Sequence, residues 1–257
     1  MMKTRYFVSA VVGMASLALA GQVSATCSVG FDKLLAAAQK VVPSTGTPNG
    51  GLGFPMWVTM VDETGMVCNV VNTHGPGTNS DAAWLGSRVI SAQKANTANA
   101  FSHDGLPLST ANLYGTVQPG GSLYGLQHSN PVDASIAYKG APAAYGTKLD
   151  PLKGKRIGGV NVFGGGLALY SANHKKIGAL GVSGDTSCTD HIVAWKIRAE
   201  LGLDHIPGGV TGGTDAMNIT GAGTNGGFTH PDCGSNDDTV DDAASANEAG
   251  TDAISGN

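Results

Sequence analysis

The spacing of apolar residues along the chain predicts three helices and a set of short strands. Residues 177–201 begin with an apolar strand, pass through a glycine turn and end in a segment with apolar residues at helical spacing. Ser187 and Asp190 have the Ser-x-x-Asp spacing of a capping box, which predicts the start of that helix. Residues 31–42 and 81–101 show the same helical period, and the second is the longest helix candidate.

Shorter apolar runs separated by turn residues predict paired strands. Residues 55–61 and 66–72 flank a tight turn at 62–65, so they are expected to form a β-hairpin. Residues 158–171 are interpreted as two strands separated by the glycine turn 164–166. Because hairpin turns rather than helical crossovers join the strands, the sequence predicts an α+β fold with a mainly antiparallel sheet flanked by helices.

A long middle segment, residues 102–151, has no helical or strand period. It is rich in Gly, Pro, Ser and Tyr, and a stretch of this length inside a domain is usually functional. His128 lies here among tyrosine and leucine side chains. An imidazole in such surroundings suits the axial position of an iron porphyrin, although a surface histidine is the more common explanation for any single residue.

The two ends of the chain differ from its centre. Residues 1–25 have a basic start, an apolar run and small residues before the expected cleavage point after Ala25, which predicts a secretory signal too short to span a membrane. Residues 235–257 are acidic, polar and small, which predicts disorder. A single domain at 26–234 remains, in a periplasmic or secreted protein.

The charge of the chain argues against nucleic acid as a partner. The 257 residues include 15 Lys and Arg against 19 Asp and Glu, a formal net charge of −4. A nucleic-acid-binding protein needs a concentrated basic surface, and the sequence contains none.

Four cysteines are expected to form two structural disulfides in an exported protein. Four cysteines allow three pairings, which the sequence leaves open. We favour Cys27 with Cys68 and Cys188 with Cys233, because each bond would fasten a terminal segment to the core.

Two motifs that could carry catalytic or metal-binding chemistry are better explained as structural features. Gly181-Val-Ser183-Gly184 resembles a hydrolase nucleophile elbow, but the pattern fails because Asp185 replaces the final glycine. The run from His230 to Cys233 could bind a metal, but a disulfide at Cys233 is the simpler interpretation.

Three stretches, taken in order, resemble the GlcG/HbpS-type haem-binding proteins. They are WLGSRVISAQKANTANAF at 84–101, GGVNVFGGGLALY at 158–170 and GALGVSGDTSCTDHIVAWKIR at 178–198. The resemblance covers about residues 31–203, and it implies a profilin-like fold that often assembles into homo-oligomers. A longer middle segment at 122–155 and the cysteine-bearing tail depart from the family pattern.

The resemblance implies an exported haem-binding protein that captures, stores or senses haem. We expect an apolar pocket between the long helix and the sheet, with Arg88 or Lys94 pairing with the haem propionates. His128 is the predicted iron ligand, Tyr124 is the other choice from local chemistry, and His103 and His191 are substitutes. The predicted haem contacts are Phe101, Tyr114, Leu123 and Tyr124.

Two other classes of function stay open. The first is an enzyme acting on haem or a small organic acid, for which Asp185, Asp190 and His191 form the densest set of acid and base groups. The second is a structural oligomer without a ligand.

Overall fold

The protein is an α+β domain in which helices cover both faces of one antiparallel sheet. The computed structural model describes residues 27–44, 48–75, 83–219, 227–234 and 253–255. Its strands and longer helices are α1 (Phe31–Val41), β1 (Trp57–Asp62), β2 (Val67–Asn72), α2 (Gly86–Phe101), β3 (Gly166–Tyr170) and β4 (Lys176–Ser183). They also include α5 (Ser187–Glu200), β5 (Met217–Asn218) and β6 (Ile254–Ser255), with the short helices α3 (Leu126–Ser129) and α4 (Ala134–Ala137) between α2 and β3.

The sheet has the strand order β2-β1-β4-β3, and every neighbouring pair is antiparallel. On one face, Leu180 and Val182 of β4 pack into a core shared with α1 and α5. On the other face, Ala179 packs into a core shared with α2. Both faces are therefore covered, which explains why β1, β2 and β3 are buried along their whole length.

Helix α2 lies unusually close to the sheet. A Cβ added to Gly181 would overlap the Ser91 carbonyl oxygen and would lie 2.5 Å from the Ala95 amide nitrogen. The Thr59 hydroxyl also shares a hydrogen bond of 2.7 Å with the Ser91 hydroxyl across this interface. Small residues on the facing surfaces thus allow backbone contact between helix and sheet.

Loops occupy part of each sheet edge. Val67 of β2 donates its N–H to the Lys155 carbonyl and accepts from the Gly154 N–H. Tyr170 of β3 donates its N–H to the Leu203 carbonyl at the opposite edge. Backbone groups at these positions therefore have partners outside the sheet.

Two local predictions are corrected. Helix α5 begins at Ser187 as expected, but its cap is Thr186, whose side chain accepts the Thr189 N–H. Of the two strands expected at 158–171, only β3 is present. Residues before it cannot extend the sheet, because the Asn161 N–H bonds to the Thr97 hydroxyl of α2 instead of to a strand.

The disulfides join Cys27 to Cys68 and Cys188 to Cys233, the pairs favoured from the sequence. The first attaches the chain before α1 to β2, and the second attaches the first turn of α5 to the segment 227–234.

The ends of the chain are only partly described. The predicted signal at 1–25 lies outside the described residues, as does most of the predicted tail. Ile254 and Ser255, within that tail, pair in parallel with Met217 and Asn218 and so are ordered as a strand. In the described part of the chain, no helix combines the length and apolar character that crossing a bilayer requires.

Candidate functional site

A cluster of buried polar side chains lies where α2, β4 and α5 meet; we call Lys94, Asp190, His191 and His230 the polar cluster. The Lys94 ammonium donates to the Asp190 carboxylate at 2.7 Å and to the Val182 carbonyl at 3.0 Å. The other Asp190 oxygen accepts the Asp185 N–H at 3.0 Å. The ion pair is almost fully buried, with 1% and 4% of the two side chains exposed.

Burial changes the acid–base behaviour of this pair. Loss of hydration lowers the pKa of Lys94, and the facing Asp190 carboxylate partly opposes that change. Burial likewise raises the pKa of Asp190 to about 6, with Lys94 acting in the opposite direction. Groups with shifted pKa values are common at functional sites, although structural ion pairs shift them too.

The two histidines of the polar cluster are neutral at neutral pH, and their tautomers are set by backbone partners. Nδ1 of His191 accepts the Gly165 N–H at 3.3 Å, so Nε2 carries the proton. Nδ1 of His230 faces the Pro231 carbonyl at 2.7 Å and must donate, so Nε2 keeps a lone pair. Burial lowers the pKa of His230 to about 4 and that of His191 well below its usual value.

Glycines in the turn before β3 let the chain approach the polar cluster. Gly165 has a φ of +110°, and an added Cβ would lie 3.0 Å from the Asp190 Cβ and 3.2 Å from the Lys94 ammonium. The run of three glycines at 164–166 is the sequence signal for this approach, although in the sequence alone it indicates only a turn.

Next to the polar cluster lies a partly exposed group of apolar side chains, which we call the α3 face. Its buried base is a small core of Leu108, Leu113, Val117 and Val162. The half-buried side chains of Phe101, Leu106, Tyr114 and Leu126 pack on that base. Leu126 begins α3, which also carries His128, and the Tyr114 ring lies 4.9 Å from the His230 ring.

The sequence comparison decides the family. Residues 34–198, more than half of the chain, match the family described as "Haem degrading protein HbpS-like". The chain belongs to the HbpS-like family.

The HbpS-like chain is similar to four chains of solved structures, two of which are described below, and no curated protein matches it. A crystal structure described as the PduOC:heme complex is 26% identical, with 66% of this chain and 89% of that chain covered and a TM-score of 0.44. A crystal structure of the Klebsiella pneumoniae protein ORFY is 24% identical, with 68% and 90% covered and the same TM-score.

Within the described residues of this HbpS-like protein, α2 lies directly on β4 at Gly181, which leaves no space there for the expected pocket between the long helix and the sheet. The expectation that Arg88 or Lys94 pairs with the haem propionates is also wrong in this arrangement. Lys94 is held by Asp190, and Arg88 is 1% exposed and makes a two-point ion pair with Asp150. Neither cation is available to a ligand carboxylate in this arrangement.

The remaining predicted residues fall into three groups. Phe101 and Tyr114 lie together in the α3 face. His128, Tyr124, Leu123 and His103 are exposed, with 65% of Tyr124 and 38% of Leu123 accessible. His191 is fully buried beside Trp195, which removes it as a substitute iron ligand.

A separate apolar groove of about 680 Å³ lies between α1 and the segment before β3 of the HbpS-like chain. Its lining side chains are Phe31, Asp32, Leu35, Ala141, Ala143, Ala144, Thr147, Lys148 and Leu149, and none of the predicted haem contacts is among them.

Asp185, one of the acids proposed for an enzymatic role, instead holds two backbone segments together through hydrogen bonds, an arrangement we call the Asp185 clamp. Its carboxylate accepts the backbone N–H groups of Leu52, Phe54 and Thr186 at 2.8, 3.0 and 2.7 Å. These bonds hold the loop before β1 against the start of α5.

Replacing Asp185 with asparagine is expected to destabilise the HbpS-like protein by about 1–3 kcal/mol, because hydrogen bonds to a charged acceptor are weakened. Urea unfolding followed by tryptophan fluorescence measures the change. An unfolding midpoint equal to that of the wild type would contradict the clamp.

Proposed function

We propose that this protein binds haem on the α3 face and acts as an exported protein for haem capture, storage or sensing. The family match over residues 34–198 carries the proposal, since that family is named for haem chemistry. The expected signal at 1–25 and the two disulfides support a periplasmic or secreted location.

The α3 face has the surface chemistry that a porphyrin requires. A haem ring is broad, flat and apolar, and the half-buried Phe101, Tyr114 and Leu126 offer it apolar and aromatic contacts. Leu123 is exposed nearby, and its N–H bonds to Thr116, next to Val117 in the base of the face. A haem bound there would leave its propionates in water, so it would need no buried cation.

His128 is the proposed iron ligand. Its imidazole is exposed in the last turn of α3, two residues after Leu126 of the α3 face. The Tyr124 phenol and the His103 imidazole are the alternatives, because Tyr124 lies just before α3 and His103 pairs through its backbone with Leu106 of the face. Imidazole and phenolate are both established haem ligands.

A haemin titration tests this function. The purified protein should shift the Soret band of haemin, and His128→Ala should weaken binding at least about tenfold, as expected for loss of one metal-binding group. His74→Ala is the matched control, because His74 is exposed and does not line the α3 face. Absence of any Soret shift in the wild type would rule out haem binding. If His128→Ala binds haemin as tightly as the wild type, the iron ligand is Tyr124 or His103 instead.

A second candidate function is an enzyme acting on haem or a small organic acid. The pKa of Asp190, raised by burial to about 6, favours it, because such a carboxyl group can exchange a proton near neutral pH. Loss of the Soret band in the presence of a reductant would indicate haem turnover, whereas a stable band would indicate a carrier.

The homo-oligomer expected from the family remains a prediction, for which the mass in solution is the test.

A further inference from the structure

Three metal-binding side chains meet at the first turn of α5, and the proposed haem function does not use them. The sulfurs of Cys188 and Cys233 and a ring nitrogen of His230 all lie within 4.8 Å of one another. Cys188 and His230 are each 1% exposed, and Cys233 is half-buried. We call these three residues the sulfur–histidine corner.

His230 is already arranged as a metal ligand. Its Nδ1–H donates to the Pro231 carbonyl, and metal-binding histidines commonly fix the second ring nitrogen in this way. The other nitrogen, Nε2, is buried and has no hydrogen-bond partner within the described part of the chain. A buried nitrogen lone pair without a partner costs free energy, and an incoming cation would satisfy it.

Hydrogen-bond donors surround the Cys233 sulfur. The Cys188 N–H points at the Cys233 sulfur at 3.1 Å, and the Ser187 hydroxyl lies 3.4 Å from the same sulfur. These groups belong to the first turn of α5, where the N–H groups and the helix dipole favour a negatively charged or electron-rich neighbour.

We propose that the sulfur–histidine corner becomes a zinc site when its disulfide is reduced. A thiol reductant supplies two electrons and two protons, so that the S–S bond becomes two thiols while the reductant forms its own disulfide. Zn²⁺ then binds both sulfurs and His230 Nε2, and the two thiol protons pass to solvent. The oxidised form lacks two of the three ligands, so binding depends on redox state.

The donor set and the distances suit Zn²⁺. Two thiolates and one imidazole are typical zinc ligands, with water available for the fourth position. Zinc–sulfur bonds of about 2.3 Å place tetrahedral ligands about 3.8 Å apart. The sulfurs would need to separate after reduction, while donors already within 4.8 Å of one another need only small side-chain movements.

Thiol counting in the full chain tests the proposal. The fully reduced wild type contains four thiols, and one equivalent of Zn²⁺ should slow the reaction of two of them with a thiol reagent. Co²⁺ in place of zinc should give a thiolate-to-metal absorption band. Equal zinc binding by the oxidised protein, or no protection after reduction, would overturn the proposal.

Matched variants locate the site within the chain. In Cys27→Ser/Cys68→Ser, both remaining thiols should be protected by one zinc ion, whereas Cys188→Ser/Cys233→Ser should give no cobalt band. His230→Ala should bind zinc at least about tenfold more weakly, and His74→Ala should bind like the wild type. Circular dichroism of the oxidised His230→Ala confirms that it is folded. If reduced His230→Ala binds zinc as tightly as the reduced wild type, His230 is not a ligand and the proposal fails.

Discussion

Replacing Arg88 with alanine is expected to lower the free energy of unfolding by about 3–5 kcal/mol, because it leaves a buried carboxylate without its cation. Arg88 Nε donates to Asp150 at 2.9 Å, a second guanidinium N–H bonds the other Asp150 oxygen, and the pair is 1% exposed on each side. The guanidinium also lies 3.7 Å from the centre of the Tyr145 ring and donates to the Ala137 carbonyl. One side chain of α2 thus anchors much of the middle segment.

Lys148→Ala is the control for Arg88→Ala. Lys148 also forms an ion pair, with Asp32, but 61% and 78% of the two side chains are exposed. Exposed pairs contribute about 0–1 kcal/mol, so urea unfolding should barely change. If the two variants were equally destabilised, the special role given to Arg88 would be wrong.

Gly181→Val is expected to destabilise the protein by more than about 4 kcal/mol, which is exceptional for a single substitution. The added atoms would overlap the backbone of α2 at Ser91 and Ala95, and a helix backbone cannot move aside as a side chain can. Circular dichroism and soluble yield should show a largely unfolded protein at temperatures where the wild type is folded.

Gly86→Ala tests whether glycine replacement as such causes that loss. Gly86 is the first residue of α2, and a Cβ added there meets no atom within 4 Å. Alanine should therefore be neutral or should stabilise the helix by up to about 1 kcal/mol. A wild-type midpoint for Gly181→Val would mean that α2 does not contact β4 as described.

Much of the fold could be predicted because its elements follow local rules. The hairpin β1–β2, the strand β4 and the helix α5 lie close to their expected bounds, since each has a clear apolar period and a turn signal. The sequence places the cap of α5 at Ser187, one position after the observed cap, Thr186, because both residue types are good caps. The predicted capping box also needs Asp190 at the helix end, but in the fold the Asp190 carboxylate pairs with Lys94.

The candidate site was harder to predict because long-range pairing decides it. Arg88 and Lys94 look like ordinary solvated charges on a helix, and their partners Asp150 and Asp190 lie 62 and 96 residues further along the chain. A single sequence has no local signal for such pairs. The sequence indicates His230 only through its spacing to Cys233, and the fold places it beside the Cys188–Cys233 bond, where it is buried.

The loops that bond to the sheet edges bear on how the protein can associate with other chains. An open edge strand invites strand addition by another molecule, which leads to filaments or aggregates. Here Val67 of β2 and Tyr170 of β3 already pair with Lys155, Gly154 and Leu203 of the same chain. Strand addition is obstructed at these two positions, so a second copy of this protein could not extend the sheet continuously past Val67 or Tyr170.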